Sequence, residues 1–145
     1  MKLKKVTDSI AFGTNILDIE VPEHLKRKFK SGLGYVDGAM GGEGFTPSAV
    51  TLFTGTPGAG KTTLMLTMAD SMTKQGAIVL FNTAEESLYQ TAMTAKRLNL
   101  KNGFRCGNSA SITEIIENAT KMQKEAKKAN KQFVLIVDSL QCLDD

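Results

Sequence analysis

Cysteine is scarce in this chain, with only Cys106 and Cys142 among 145 residues. Two such residues build no disulfide framework and lack metal-ligand spacing. Both stand beside apolar residues, so buried free thiols in a reducing compartment are expected. Tryptophan is absent, aromatics reach 6% and there are three prolines. With 41% hydrophobic and 23% charged residues, that composition excludes collagen, low-complexity disorder and a repeat fibre. No aromatic platform interleaved with arginine marks a single-strand nucleic-acid surface. Apolar runs stop at five residues, as in Phe133–Val137, far short of the roughly 18–20 that a membrane span needs. Met1–Lys5 is basic, but no continuous apolar stretch follows, so no signal peptide is expected. These absences point to a soluble, cytoplasmic protein without a membrane partner. The net charge of +3 permits a nucleotide or nucleic-acid partner without arguing for one, and is what a solvated surface carries.

The length favours one domain able to bury a substantial core. Residues 1–30 differ from the rest. Lys2, Lys4, Lys5, Lys26, Arg27, Lys28 and Lys30 bracket a mixed stretch, which reads as a basic N-terminal arm with a weak strand near Asn15–Val21. Residues 31–145 read as the folded part. Glycine is dense from Ser31 to Pro47, the mark of a loop with positive φ angles or close backbone packing. Strand and helix then alternate. Val50–Thr54, Ala77–Phe81 and Phe133–Val137 read as strands, with Phe104–Cys106 as a short edge strand. Thr62–Gln75 reads as a helix closed by Gly76. Ser87–Leu98 reads as a second, with Leu88, Ala92, Ala95 and Leu98 on one face. A third opens at a Ser111–Glu114 capping box and reaches about Ala129. The predicted class is α/β with a mostly parallel sheet and flanking helices.

Gly55-Thr56-Pro57-Gly58-Ala59-Gly60-Lys61-Thr62 matches G-x-x-x-x-G-K-[ST] at every fixed position, between a predicted strand and a predicted helix. Gly58 and Gly60 let successive backbone N–H groups converge on one anion, and the helix adds its positive dipole end. Lys61 brings a mobile charge to the β- and γ-phosphates, and the Thr62 hydroxyl is a hard oxygen ligand for Mg²⁺. Gly55 to Thr63, with Thr63 the last contributor, is the expected nucleotide-phosphate-binding segment; no adenine-contacting motif is visible, so the base is not readable from the residues. Asp138 ends the apolar run Phe133–Val137, where a carboxylate is placed to hold Mg²⁺ through water. Glu85 and Glu86 follow the predicted strand Ala77–Phe81, on the edge where doubly wound sheets bind ligands. A general base for attack on a γ-phosphate belongs there. The same carboxylates also suit the first turn of the following helix, and both uses are compatible.

The ordered set Ser31-Gly-Leu-Gly-Tyr-Val-Asp37, Gly41-Gly42, Gly44-Phe45, Pro47-Ser48, the phosphate loop, Ala84-Glu85-Glu86-Ser87 and Val137-Asp138-Ser139-Leu-Gln141 resembles the RecA-type P-loop ATPases, most closely the RadA/Sms branch of recombination and repair proteins. The resemblance covers about Phe29 to Leu143. It implies a RecA-like fold, ATP and Mg²⁺ as cofactors, Glu85 as the carboxylate that activates water, with Glu86 supporting, and Lys61 as its catalytic partner. It also implies single-stranded DNA and a homo-oligomer as partners. The four-cysteine zinc finger of that branch has no counterpart in residues 1–30, so no zinc site is expected. The sequence ends at Asp145, before the further strands, DNA-contacting loops and γ-phosphate sensor of such cores. The resemblance therefore implies an incomplete core, with hydrolysis expected once further residues or a partner chain complete it. It also implies that a strand beyond Asp138 separates Val50–Thr54 from Phe133–Val137. Without that strand, the two runs should either pair directly or leave apolar faces exposed.

The leading expectation is an ATP-binding, Mg²⁺-dependent, DNA-stimulated ATPase module of a DNA repair or recombination protein. A replicative helicase core or helicase loader, a non-hydrolysing nucleotide-binding module, and a partial product without activity are the alternatives.

Overall fold

The computed structural model describes residues 10–56 and 60–144. Helix α1 (Glu23–Lys26) and α2 (Gly34–Ala39) precede α3 (Lys61–Lys74). There follow strand β1 (Ile78–Thr83), α4 (Leu88–Arg97), β2 (Arg105–Gly107), α5 (Ile112–Lys128) and β3 (Phe133–Asp138). The strands form one parallel sheet in the order β2-β1-β3. The class is α/β, as the alternation predicts.

The central strand β1 is buried from Val79 to Thr83. Val79 and Phe81 lie alongside Val134 and Ile136 of β3 and share a cluster with Leu66, Met68, Ala69 and Met72 of α3. Phe81 is fully buried, and its ring lies 5.8 Å from that of Phe104. Leu80 points to the opposite face by the two-residue period of a strand. On that face α5 packs through Ile115, Ala119 and Ala126. Helices on both faces explain why β1 carries an unbroken apolar run.

The three longer helices end alike. After α3, Gly76 takes φ 98°, its N–H donates to Thr73 O, and Ala77 N–H reaches back to Met72 O. Asn99 (φ 57°) and Asn130 (φ 54°) do the same after α4 and α5, with Leu100 N–H on Ala95 O and Lys131 N–H on Ala126 O. This double-bonded cap uses a left-handed residue to satisfy the last carbonyls. Each one turns the chain back toward the sheet.

Several expectations are corrected. Val50–Thr54 forms no strand. It has no ladder partner among the described residues, and Val50 and Leu52 are 96% and 68% exposed. An apolar run gains strand geometry from neighbouring backbone, and here no neighbour supplies it. Val50–Thr54 and β3 therefore do not pair; Val50, Leu52 and Leu135 are exposed, whereas Phe53 and Val134 pack against the core cluster and Ile136 is buried in it. Asn15–Val21 is not a strand either: Asn15 Oδ1 accepts Leu17 N–H at 2.9 Å and opens a short 3-10 turn at Ile16–Asp18. In α4 the inner row is Leu88, Thr91, Ala95 and Leu98, with Thr91 buried and Ala92 exposed. The Thr91 hydroxyl fits there because it donates to Ser87 O at 3.2 Å. Cys106 is exposed and Cys142 half-buried, both as free thiols. Cys106 lies on an edge strand too short to be covered.

The glycine-dense segment holds α2 and is tied to residue 29 by reciprocal backbone bonds between Phe29 and Phe45. Gly44, at φ 90°, sits against this bridge, where a Cβ would collide with the Phe29 carbonyl. The expected arm boundary at residue 30 thus falls beside a residue whose ring packs on the core. Residues 1–9 lie outside the described segments. Among the described residues, no helix is long and apolar enough to cross a membrane.

Candidate nucleotide-binding site

Parallel strands deliver their C-terminal ends to one edge of the sheet, and the residues after each strand assemble there. Gly60 opens α3 in the left-handed conformation, φ 83°. Among the described residues, nothing lies within 4 Å of a Cβ added there, and its left-handed backbone conformation calls for glycine. Lys61, Thr62 and Thr63 form the first turn, with Leu64 N–H donating to Gly60 O at 3.0 Å. Gly55 and Thr56 lie exposed in the irregular segment ahead of them, whereas Pro57, Gly58 and Ala59 lie outside the described residues.

Thr62 and Asp138, 76 positions apart, meet directly: Thr62 Oγ1 donates to Asp138 Oδ2 at 2.8 Å. A hydroxyl and a carboxylate in contact at a helix N-terminus are two hard oxygen donors, the set Mg²⁺ prefers. The residues present fit that ion, and the N-terminal end of α3 beside them suits a phosphate.

The turn after β1 is held from all three strands. Ala84 N–H donates to Asp138 O at 3.0 Å. Beyond β2, Asn108 Nδ2 donates to Thr83 O at 2.8 Å and Glu86 O at 2.9 Å. Within the turn, Glu86 N–H donates to Thr83 Oγ1 at 3.1 Å. Glu85 is exposed and accepts Ser139 Oγ–H at 2.7 Å and the Cys142 thiol at 3.4 Å, both on Oε1. The Ser139 bond, then the Cys142 bond, hold its carboxyl below the ordinary glutamate range, with the Lys61 charge adding to them and slight burial opposing. Glu86 points its backbone, rather than its side chain, into this network. Ser87 caps α4 with a reciprocal Ser87–Gln90 capping box, so helix capping falls to Ser87.

The structure therefore brings together Lys61, Thr62, Glu85 and Asp138 at one sheet edge. It also recruits residues to which sequence reasoning gave no part. Asn108 and Asn82 carry no motif. Asn82 holds Ser109 through two bonds, Asn82 Nδ2 to Ser109 O at 2.8 Å and Ser109 N–H to Asn82 Oδ1 at 3.1 Å. Asp70 is buried on α3 and accepts Asn102 N–H, Asn102 Nδ2 and Gly103 N–H between 2.8 and 3.1 Å. Asp37 similarly takes Ser31 N–H and Oγ–H at 2.8 Å and Gly32 N–H at 3.2 Å. A carboxylate placed amid the apolar positions of α3 was the readable signal for Asp70, since burial demands partners.

An AAA domain family model matches residues 44–145. The chain belongs to the P-loop ATPases of the RadA/RecA type. It is similar to the DNA repair protein RadA of Haemophilus influenzae, at 33% identity over 117 residues, 80% of this chain and 23% of that protein. Identity to the DNA repair protein RadA of Campylobacter jejuni is 31% over 142 residues, 98% of this chain and 30% of that protein. For the DNA repair protein RadA of Aquifex aeolicus it is 34% over 128 residues, 88% and 26% respectively. The chain spans less than a third of the length of these relatives. Its three-stranded parallel sheet with flanking helices matches part of a RecA-like core.

Proposed function

We propose that this chain is the nucleotide-binding part of an ATP-binding, Mg²⁺-dependent ATPase module that serves DNA repair or recombination in the cytoplasm. The observation that carries this reading is the 2.8 Å contact between Thr62 and Asp138. It joins the hydroxyl that follows the phosphate-loop lysine to the strand-end carboxylate, a pairing that phosphoryl-transfer sites use for their metal. Lys61 and the α3 N-terminus attract the phosphates, Thr62 and Asp138 hold the cation, and Glu85 polarises the attacking water. Bound Mg²⁺ neutralises charge on the phosphate oxygens. The unit that begins near residue 31, with Phe29 docked on it, carries this site. The repair role, stimulation by single-stranded DNA and self-association draw support from the similarity to RadA.

Titration of the chain with ATP, with and without Mg²⁺, tests the reading. Wild type binds Mg-ATP; Lys61→Ala loses detectable affinity while retaining its circular-dichroism spectrum; Asp138→Asn loses the Mg²⁺ enhancement. Equal affinity of wild type and Lys61→Ala overturns the assignment.

A further inference from the structure

Glu85 lies on an exposed turn, where an unrestrained glutamate samples several rotamers. Both of its side-chain partners come from the segment after β3. Ser139 Oγ donates at 2.7 Å and Cys142 Sγ at 3.4 Å, each to Oε1, while Oε2 takes part in neither bond. Ser139 is covalently next to Asp138, whose Oδ2 accepts the Thr62 hydroxyl. The Asp138–Ser139 unit thus touches the start of α3 with one side chain and Glu85 with the other.

We propose that Ser139 is a positioning residue that clamps Oε1 of Glu85, so that Oε2 is presented to the water beside the nucleotide. This rests on the reading of Glu85 as the carboxylate that polarises that water. A carboxylate held by a hydroxyl on one oxygen keeps lone pairs on the other for an incoming O–H. Pre-positioning of this kind removes rotamer entropy from the activation barrier. Cys142 is the weaker second donor, since a thiol is a poor hydrogen-bond donor. The lowered Glu85 carboxyl pKa, attributed first to Ser139, agrees with the geometry. Because Glu85 is exposed, the Ser139 bond adds little to folding stability. A purely structural serine and a positioning serine therefore predict different outcomes.

The test compares wild type, Ser139→Ala, Ser139→Thr, Cys142→Ala and Glu85→Gln of the full chain. The first readout is the Glu85 carboxyl titration by ¹³C NMR without nucleotide. Ser139→Ala should raise its midpoint toward ordinary glutamate, Ser139→Thr should restore it, and Cys142→Ala should move it less. An unmoved midpoint in Ser139→Ala, or a larger shift in Cys142→Ala, overturns the proposal whether or not the chain hydrolyses ATP. The second readout is Mg-ATP turnover. Ser139→Ala should lower kcat by roughly tenfold or more, on the scale of one hydrogen bond to a charged group, with KM and thermal midpoint unchanged and kcat recovered in Ser139→Thr. Wild-type kcat in Ser139→Ala, while Glu85→Gln is inactive, overturns the positioning role alone. Wild-type kcat in Glu85→Gln instead overturns the underlying reading of Glu85, and the titration still judges the Ser139 clamp. Where wild type shows no turnover, the titration decides.

Discussion

Two apolar, strand-length runs of this chain have opposite fates. Ile78-Val-Leu-Phe81 becomes the centre of the sheet, paired on both edges and covered on both faces. Val50-Thr-Leu-Phe-Thr54 pairs with nothing among the described residues and leaves Val50 and Leu52 in solvent. Their residue types are nearly interchangeable, so local propensity cannot be the cause. The difference is company: β1 has β2 and β3 at its sides, α3 on one face and α5 on the other. Even β3, equally apolar, has only Ile136 buried, because it is an edge among the described residues. The candidate site inherits this division. Asp138 ends one paired strand and Glu85 stands in the turn after another, while Gly55 and Thr56 follow the unpaired run.

The comparison breaks most visibly at Phe81. Phe81→Ala empties a fully buried ring position and should cost about 3–5 kcal/mol of unfolding free energy by denaturant titration. Leu52→Ala in the unpaired run should cost no more than ~0.5 kcal/mol. Comparable losses at the two positions would mean that Val50–Thr54 is packed in solution.

Asp70→Ala should come next. It strips three donors of the α4–β2 connection of their acceptor, and each buried group left unpaired costs roughly 1–3 kcal/mol. Native-state hydrogen exchange should show the Asn102 and Gly103 amides losing protection, and unchanged protection would remove Asp70 from its anchoring role.

The uncovered run and the open edge of β3 should also make the chain self-associate. Light scattering at rising concentration should report species larger than the monomer, and Leu52→Lys combined with Leu135→Lys should reduce them. A monodisperse monomer with a sharp, reversible calorimetric transition would show that both surfaces are closed in solution.

The smallest effect belongs to Glu125, held by Arg105 in two 2.7 Å bonds on the surface. The guanidinium keeps its carboxyl below the ordinary range. The folded value is the lower one, so the contribution is complete above the unfolded glutamate pKa and fades as pH falls through the folded value. Glu125→Gln should leave the denaturation midpoint nearly unmoved, and roughly 1 M salt should erase what difference there is.

Much of the fold was legible because it depends on local chemistry. The α3 boundaries follow from Gly60 and Gly76, and α5 from the Ser111 cap, whose hydroxyl accepts Glu114 N–H at 3.3 Å. The alternation of apolar runs with amphipathic segments is enough for a parallel α/β sheet. The caps at Asn99 and Asn130 went unread, because asparagine enters the left-handed region less often than glycine and as readily serves in turns. The inner face of α4 was not legible either, because Thr91 is as easily buried as exposed until its hydroxyl finds Ser87 O.

By itself the sequence determined the chemistry available to the site: a complete phosphate-loop motif, a carboxylate at the end of an apolar strand, and a carboxylate pair after another. Those are properties of residue type and spacing. Only the tertiary structure decided that Thr62 meets Asp138, that Asn108 and Ser139 hold the Glu85 turn, and that one apolar run is central while its twin stays unpaired. Each of these is a contact between positions far apart in the chain. Such contacts depend on which backbone groups find partners once the sheet has formed, which no local pattern encodes.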